Sequence, residues 1–153
     1  IVATMALCEA AAYYKTQGKT LWDAMIEMYE QFGYYKDDIK AVTMKGIEGL
    51  QKIQDIMNSL RQNPPAEFAG HKVVAVADTI KNLETGEVTP TGLPNSNVLY
   101  YELTNDAWVC VRPSGTEPKV KFYYGVKGTS LADADEKSAV MGKAVLDMVD
   151  SMM

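Results

Sequence analysis

Three strand-like runs follow one another at residues 97–103, 107–112 and 119–127, and the spaces between them are short. Parallel strands need a crossover of about a dozen residues or more, so runs this close pair as antiparallel hairpins. Thr104-Asn105-Asp106 joins the first two as a tight turn. The chain closes on an amphipathic pattern at residues 131–152, in which Ala134, Ser138, Met141, Val145, Met148 and Met152 recur in steps of three and four. Ser130 caps that helix and Asp133 completes a capping box. Upstream, residues 39–44 predict a short strand and residues 46–62 a helix, with Ile47, Leu50, Ile53, Ile56, Met57 and Leu60 on one face. Asn63-Pro64-Pro65 ends that helix, residues 73–79 read as a strand, and residues 84–96 form a long loop rich in Gly, Pro and Thr. The order strand, helix, strand, three strands, helix predicts an α+β domain: a small, mainly antiparallel sheet with both helices on one face.

Ahead of this unit lie two helical stretches joined at Gln17-Gly18-Lys19. The second opens on Thr20 with Asp23 three residues later, and Leu21, Met25, Met28, Tyr29 and Phe32 fall at helical spacing, the pattern of a buried face. Gly33-Tyr34-Tyr35-Lys36-Asp37-Asp38 is polar and turn-like, and a domain boundary is expected there, with 34–38 as hinge or linker between 1–33 and 39–153. Residues 1–12 begin at full helical strength on Ile1 with no capping residue before them, so a longer parent protein is expected.

Composition narrows the function. Among 153 residues, 20 acids against 15 Lys and Arg leave a net charge of −5, which argues against general nucleic-acid binding. No run of apolar residues is long enough to span a membrane. Cys8 and Cys110 make no disulfide framework and are expected as small buried residues. With no CxxC and no His/Cys cluster, the chain reads as reduced, intracellular, cytoplasmic and free of structural zinc.

One segment departs from this background: Arg112-Pro113-Ser114-Gly115-Thr116-Glu117-Pro118-Lys119-Val120-Lys121. Residues 112–127 hold Arg112, Lys119, Lys121 and Lys127 against Glu117 alone, a local +3, whereas 129–153 sums to −3. Pairing the flanking strands symmetrically about the loop puts Arg112 opposite Lys119 and Cys110 opposite Lys121. One face then shows Trp108, Arg112, Lys119, Lys121 and Tyr123, the other Val109, Val111, Val120 and Phe122, a core face. Cations thus gather beside a loop with two hydroxyls and a glycine that lets backbone N–H groups approach a ligand. A phosphate monoester requires this set: a bidentate guanidinium, an ammonium, hydroxyls and backbone donors. The plainer reading is a turn with solvated basic residues on an exposed strand, and composition leaves both open.

The stretch RPSGTEPKVKFYYGVKG, preceded by TGLPNSNVLYYELTNDAWVCV, closely resembles the C-terminal domain of the α-D-phosphohexomutases, the phosphoglucomutase/phosphomannomutase family, and most of all its bacterial phosphoglucomutase branch. The resemblance runs over 39–153 as the family's fourth domain, and 1–32 looks like the last helices of its third. It implies a fold like that of the TATA-binding protein. It also implies that Arg112, Ser114, Gly115, Thr116 and Lys121 clamp the substrate's non-reacting phosphate, with Lys119 as a further candidate. The implied reaction interconverts hexose 1-phosphate and 6-phosphate (glucose, with mannose phosphates also in view) through a bisphosphate, using a phosphoserine and Mg²⁺. The family's Ser-His-Asn-Pro, Asp-Gly-Asp and Glu-x-Ser-Gly-His stretches do not occur here. This chain is therefore expected to hold no catalytic residue and no metal ligand, and to work with upstream domains of the same protein. Asp133-Ala134-Asp135 superficially looks like a metal loop but lies in the first turn of a helix, where carboxylates suit the macrodipole. His71 reads as a surface or turn residue, and Trp108 as a packing residue or a cleft-lining one. Two other classes stay in view: a stand-alone phosphosugar-binding or regulatory module, and, on fold analogy alone, a nucleic-acid binder.

Overall fold

The computed structural model describes residues 1–44, 46–77, 80–82, 88–89, 92 and 96–152. Local chemistry sets the helix ends. Helix α1 (Val2–Thr16) stops before Gly18, which takes a φ of 71°. Helix α2 (Leu21–Phe32) opens with the expected capping box: Asp23 N–H donates to the Thr20 hydroxyl, and the Asp23 carboxylate accepts from the Thr20 N–H at 2.7 Å. It ends at Gly33, whose φ of 112° is one that a side chain rarely adopts. Neither helix fully buries a residue. The stripe expected to be buried instead lines an open groove with Tyr14, formed by Leu21, Met25, Met28 and Phe32.

The polar run after Gly33 is strand, which corrects the turn-like reading of residues 34–38. Strand β1 (Tyr34–Thr43) pairs antiparallel with strand β8 (Lys119–Gly128) along its whole length, from Tyr34↔Gly128 to Thr43↔Lys119. Backbone pairing, not apolar content, makes this segment a strand: Asp37 and Asp38 are exposed, and Lys36 reaches across to Asp135 at 2.6 Å. Helix α3 (Ile47–Gln62) follows, then β2 (Glu67–Phe68), β3 (His71–Ala77), β4 (Ile80–Asn82), β5 (Val88–Thr89), β6 (Leu99–Leu103), β7 (Trp108–Pro113) and, after β8, helix α4 (Leu131–Asp150). The sheet order is β1-β8-β7-β6-β3-β4-β5, with β2 paired to β3, and every pairing is antiparallel. Of the long loop expected at 84–96, Val88 and Thr89 form β5 and most of the remainder lies outside the described residues, as does Thr79 of the expected strand 73–79.

The α+β architecture follows from the strict alternation of the central strands. Leu99, Tyr101, Leu103, Val109, Val111, Val120, Phe122, Tyr124 and Val126 point to one face and are buried. Ile53, Ile56, Met57 and Leu60 of α3 and Met141, Val145 and Val149 of α4 cover that face. The Tyr101 hydroxyl donates to the Leu60 carbonyl at 3.1 Å, satisfying a buried polar tip where β6 meets α3. Leu50, expected on the buried face, is 57% exposed. Gly49 faces inward at that turn, so close to the Met44 backbone that a Cβ would collide with it. At α4 the Ser130 hydroxyl accepts from Asp133 N–H as expected, but the Asp133 carboxylate reaches one residue further, to the N–H and hydroxyl of Thr129. Asn105 and Asp106 hold the β6–β7 turn with φ of 63° and 57°, the left-handed pair of a tight hairpin.

Candidate phosphate-binding site

Strands β7 and β8 lie inside the sheet, each paired on both sides, and their connecting loop carries the basic motif. The ladder runs through Cys110↔Tyr123, Arg112↔Lys121 and Pro113↔Val120, and Ser114 N–H donates to the Lys119 carbonyl at 2.7 Å. Only Gly115, Thr116, Glu117 and Pro118 lie beyond that closing bond. This register differs by two residues from the expected one, in which Arg112 faced Lys119. The ladder continues through Pro113 to Ser114, further than a loop beginning directly after Arg112 allows. The Ser114–Lys119 pair is hydrogen-bonded, so by antiparallel alternation Pro113↔Val120 is not and needs no N–H. On the other side β6 begins at Leu99, opposite Val111, and leaves Pro113 without a neighbour to donate to. A shift of two keeps every side chain on its face, so the division into a core face and an open face stands.

Further bonds fix the loop's shape. Lys119 N–H donates to the Glu117 carbonyl at 2.7 Å, Thr116 N–H leans on the Ser114 hydroxyl at 3.5 Å, and Met44 N–H donates to the Pro118 carbonyl at 2.8 Å. The five residues Arg112, Ser114, Gly115, Thr116 and Lys121 all line one cavity of about 260 Å³, joined by Pro113 and Tyr123. Lys119 is not in its lining, and its ammonium is engaged by Glu117 at 3.0 Å.

Most of the described lysines are neutralised within the fold, and among those that are not, Lys15, Lys52 and Lys72 stand apart from one another whereas Arg112 and Lys121 face each other. Lys19, Lys36, Lys40, Lys119, Lys127, Lys137 and Lys143 each sit within 4 Å of a carboxylate. Arg112 and Lys121, directly opposed on neighbouring strands, have no ion-pair partner among the described residues. Like charges in that relation repel, so the fold loses stability by holding them together. An anion between them reverses the sign of the interaction, and a dianion gains from both.

A family model described as the phosphoglucomutase/phosphomannomutase C-terminal domain matches residues 43–142. The chain belongs to this family. Similar proteins include the phosphoglucomutases of Staphylococcus aureus strains bovine RF122 / ET3-1 and MW2, each 36% identical over 135 residues, covering 86% of this chain and 24% of theirs. A solved structure, the open form of the exocytosis-sensitive phosphoprotein pp63/parafusin (phosphoglucomutase) from Paramecium, matches with a TM-score of 0.50 over 91% of this chain and 24% of its own. At 12% identity that likeness speaks to the fold alone. The chain thus spans about a quarter of the length of the curated relatives it matches.

For this phosphoglucomutase/phosphomannomutase domain the remaining candidates fall elsewhere. Trp108 stacks on Tyr100, with centroids 5.8 Å apart, and lies over Gly125, where a Cβ would strike its indole nitrogen; this is the packing role. The His71 imidazole Nδ1 is 2.9 Å from the Thr104 carbonyl, in a turn at the far end of the sheet. Neither cysteine is buried: Cys8 is exposed on α1, and Cys110 is half-buried on the open face of the sheet, where burial pushes its thiol up. Asp133 bonds Lys137 and Thr129, Asp135 bonds Lys36, and no group of three or more metal-ligating side chains occurs among the described residues. No helix among the described residues is long and apolar enough to cross a membrane. Sequence reasoning passed over Tyr123 as a cavity residue, although its parity with Arg112 and Lys121 already put it on their face.

Proposed function

We propose that this chain is the phosphate-gripping part of a phosphohexomutase, an enzyme that interconverts hexose 1-phosphate and hexose 6-phosphate through a bisphosphate. Its task is to hold the phosphate that is not reacting. The observation that supports this reading is the pair of opposed, unneutralised cations Arg112 and Lys121 facing one cavity with the Ser114 and Thr116 hydroxyls and the Gly115 backbone.

A guanidinium grips two phosphate oxygens at once, the ammonium adds a point charge, and hydroxyls with backbone N–H groups fill the remaining lone pairs. Such a grip recognises the phosphate and leaves the ring free, which suits a reaction whose intermediate must be held in two orientations. It contributes orientation and charge stabilisation, with no proton transfer of its own. Magnesium and the phosphoserine belong, in this reading, to residues outside the chain. Asp133 and Asp135, the two carboxylates spaced like a metal loop, are engaged by Lys137 and Lys36, and no step is assigned to a metal here.

An NMR titration of the chain with inorganic phosphate or glucose 1-phosphate tests the clamp. Amide shifts confined to residues 112–121, with weak affinity, are the expected result. Shifts centred on the His71 end of the sheet, or none at high concentration, would reject it.

A further inference from the structure

Tyr123 is the aromatic member of the phosphate cavity. It follows Lys121 by two residues on the same face of β8, away from the loop by about 6.8 Å at the usual strand rise. Its cross-strand partners are Cys110 and Ile39, which makes it a diagonal neighbour of Arg112, within reach for side chains of this length.

The other tyrosines of the sheet are committed. Tyr101 and Tyr124 donate their hydroxyls to Leu60 and Asp38, Tyr100 stacks on Trp108, Tyr34 stacks on Tyr29, and Tyr35 lies under the Lys127 ammonium. Tyr123 is half-buried, yet among the described residues its hydroxyl makes no hydrogen bond and its ring enters no stacking or cation contact. The cavity is also larger than the charges alone explain. At about 260 Å³ it approaches the roughly 300 Å³ at which pockets for small organic ligands begin. Its cations, hydroxyls and backbone donors gather at the loop end, and Tyr123 lines it further along β8.

We propose that Tyr123 is a specificity-determining residue of this site: its ring and hydroxyl meet the sugar of a hexose monophosphate whose phosphate is held by Arg112 and Lys121. This rests on the clamp reading. A pyranose offers C–H groups on either face to the aromatic ring and a hydroxyl to the phenol. Contact of that kind discriminates an ester from inorganic phosphate without fixing the ring's orientation, so it is compatible with a substrate that turns over.

Binding of inorganic phosphate and of glucose 6-phosphate to the 153-residue chain, in the wild type and in Tyr123→Ala, Tyr123→Phe and Arg112→Ala, tests this. The wild type is expected to prefer the ester by about fivefold, a contact energy typical of one aromatic ring. Tyr123→Ala is expected to abolish that preference while leaving inorganic phosphate affinity within about twofold, and Tyr123→Phe to keep most of it. Native-like amide dispersion at Ile39 and Cys110 checks that each variant is folded, and Tyr123→Leu, which fills the space without a ring and is expected to lose the preference as Tyr123→Ala does, carries the test if the alanine variant is not folded. An equal preference for the two ligands in the wild type, or a preference untouched by Tyr123→Ala, overturns the proposal and leaves the clamp standing. Parallel loss of both ligands in Tyr123→Ala overturns it too, since it makes Tyr123 a support for the phosphate end. Full retention of both ligands in Arg112→Ala instead removes the clamp itself.

Discussion

The two ends of strand β8 carry the same kind of charge on the same face and use it differently. At one end Lys127 is paired to Asp106 at 2.7 Å, lies 5.0 Å from the centre of the Tyr35 ring, and packs its stem against Gly33. At the other end Lys121 faces Arg112, and neither has an ion-pair partner among the described residues. Lys127 joins three segments of the fold, so its charge is committed to structure. The Arg112–Lys121 pair opposes folding slightly and is committed to nothing the described chain provides. Lys127 finds a carboxylate within the fold; the pair left beside like charge, in a cavity with two hydroxyls, is the basis of the clamp proposed above.

Substitutions at the two ends make that contrast measurable. Arg112→Ala has the largest expected effect: loss of a bidentate, charge-assisted grip weakens phosphate binding by about 10- to 100-fold, with the melting midpoint almost unmoved. Equal affinity in calorimetry would erase the difference between the ends. Lys121→Met is expected to weaken binding by about tenfold and to stabilise the fold by a few tenths of a kcal/mol, because it removes a repulsion across the ladder. A destabilised Lys121→Met would mean that the lysine has a structural partner after all.

The pH dependence separates the ends as well. A phosphomonoester loses its second charge as pH falls through about 6, so affinity is expected to drop there while the fold is unaffected. The fold's own ion pairs titrate at the extremes. The Lys137 ammonium, with the Thr129 N–H, holds Asp133 down at about 2 from an ordinary 3.8. A lowered folded value means that this contribution is present above 3.8 and lost as pH falls from there through about 2. Asp106 and Tyr35 raise Lys127, so its contribution is present below the ordinary 10.5 and lost only as pH climbs through the raised value. Thermal melts from pH 5 to pH 8 should therefore be flat where binding isotherms are not. The smallest effect is expected from Lys127→Met, which lowers the melting midpoint modestly and leaves phosphate affinity unchanged. Weakened binding in that variant would tie the two ends together.

What the sequence made legible was whatever depends on period and on single residues. Alternation in residues 107–127 fixed which side chains face the core, and Thr20 and Ser130 announced their helices. The motif residues Arg112, Ser114, Gly115, Thr116 and Lys121 were identifiable because charge and hydroxyls concentrate there against an acidic background. Turn length has no such periodic signature, so the pairing of β7 with β8 was expected two residues away, and Lys119 was grouped with Arg112 and Lys121 without its link to Glu117. Strand β1 was missed over residues 34–38 because Lys36, Asp37 and Asp38 lack the apolar alternation that signals a half-buried strand. Cys110 was expected to be buried on composition, yet its position in the ladder puts it on the open face.

That charged half of β1 has a meaning beyond its pairing with β8. Among the described residues β1 is bonded on one side only, which makes it the border of the sheet. A border strand offers a row of free backbone groups to any extended chain that approaches, including a second copy of itself. Lys36, Asp37, Asp38 and Lys40 set charges of both signs along that row, and a second copy laid against it antiparallel about Asp38 puts Lys36 against Lys40 and Asp38 against itself. The composition that disguises the strand as a turn is then the property that keeps it from recruiting neighbours. A β1 rebuilt from Val and Thr would be easier to recognise and more prone to self-association.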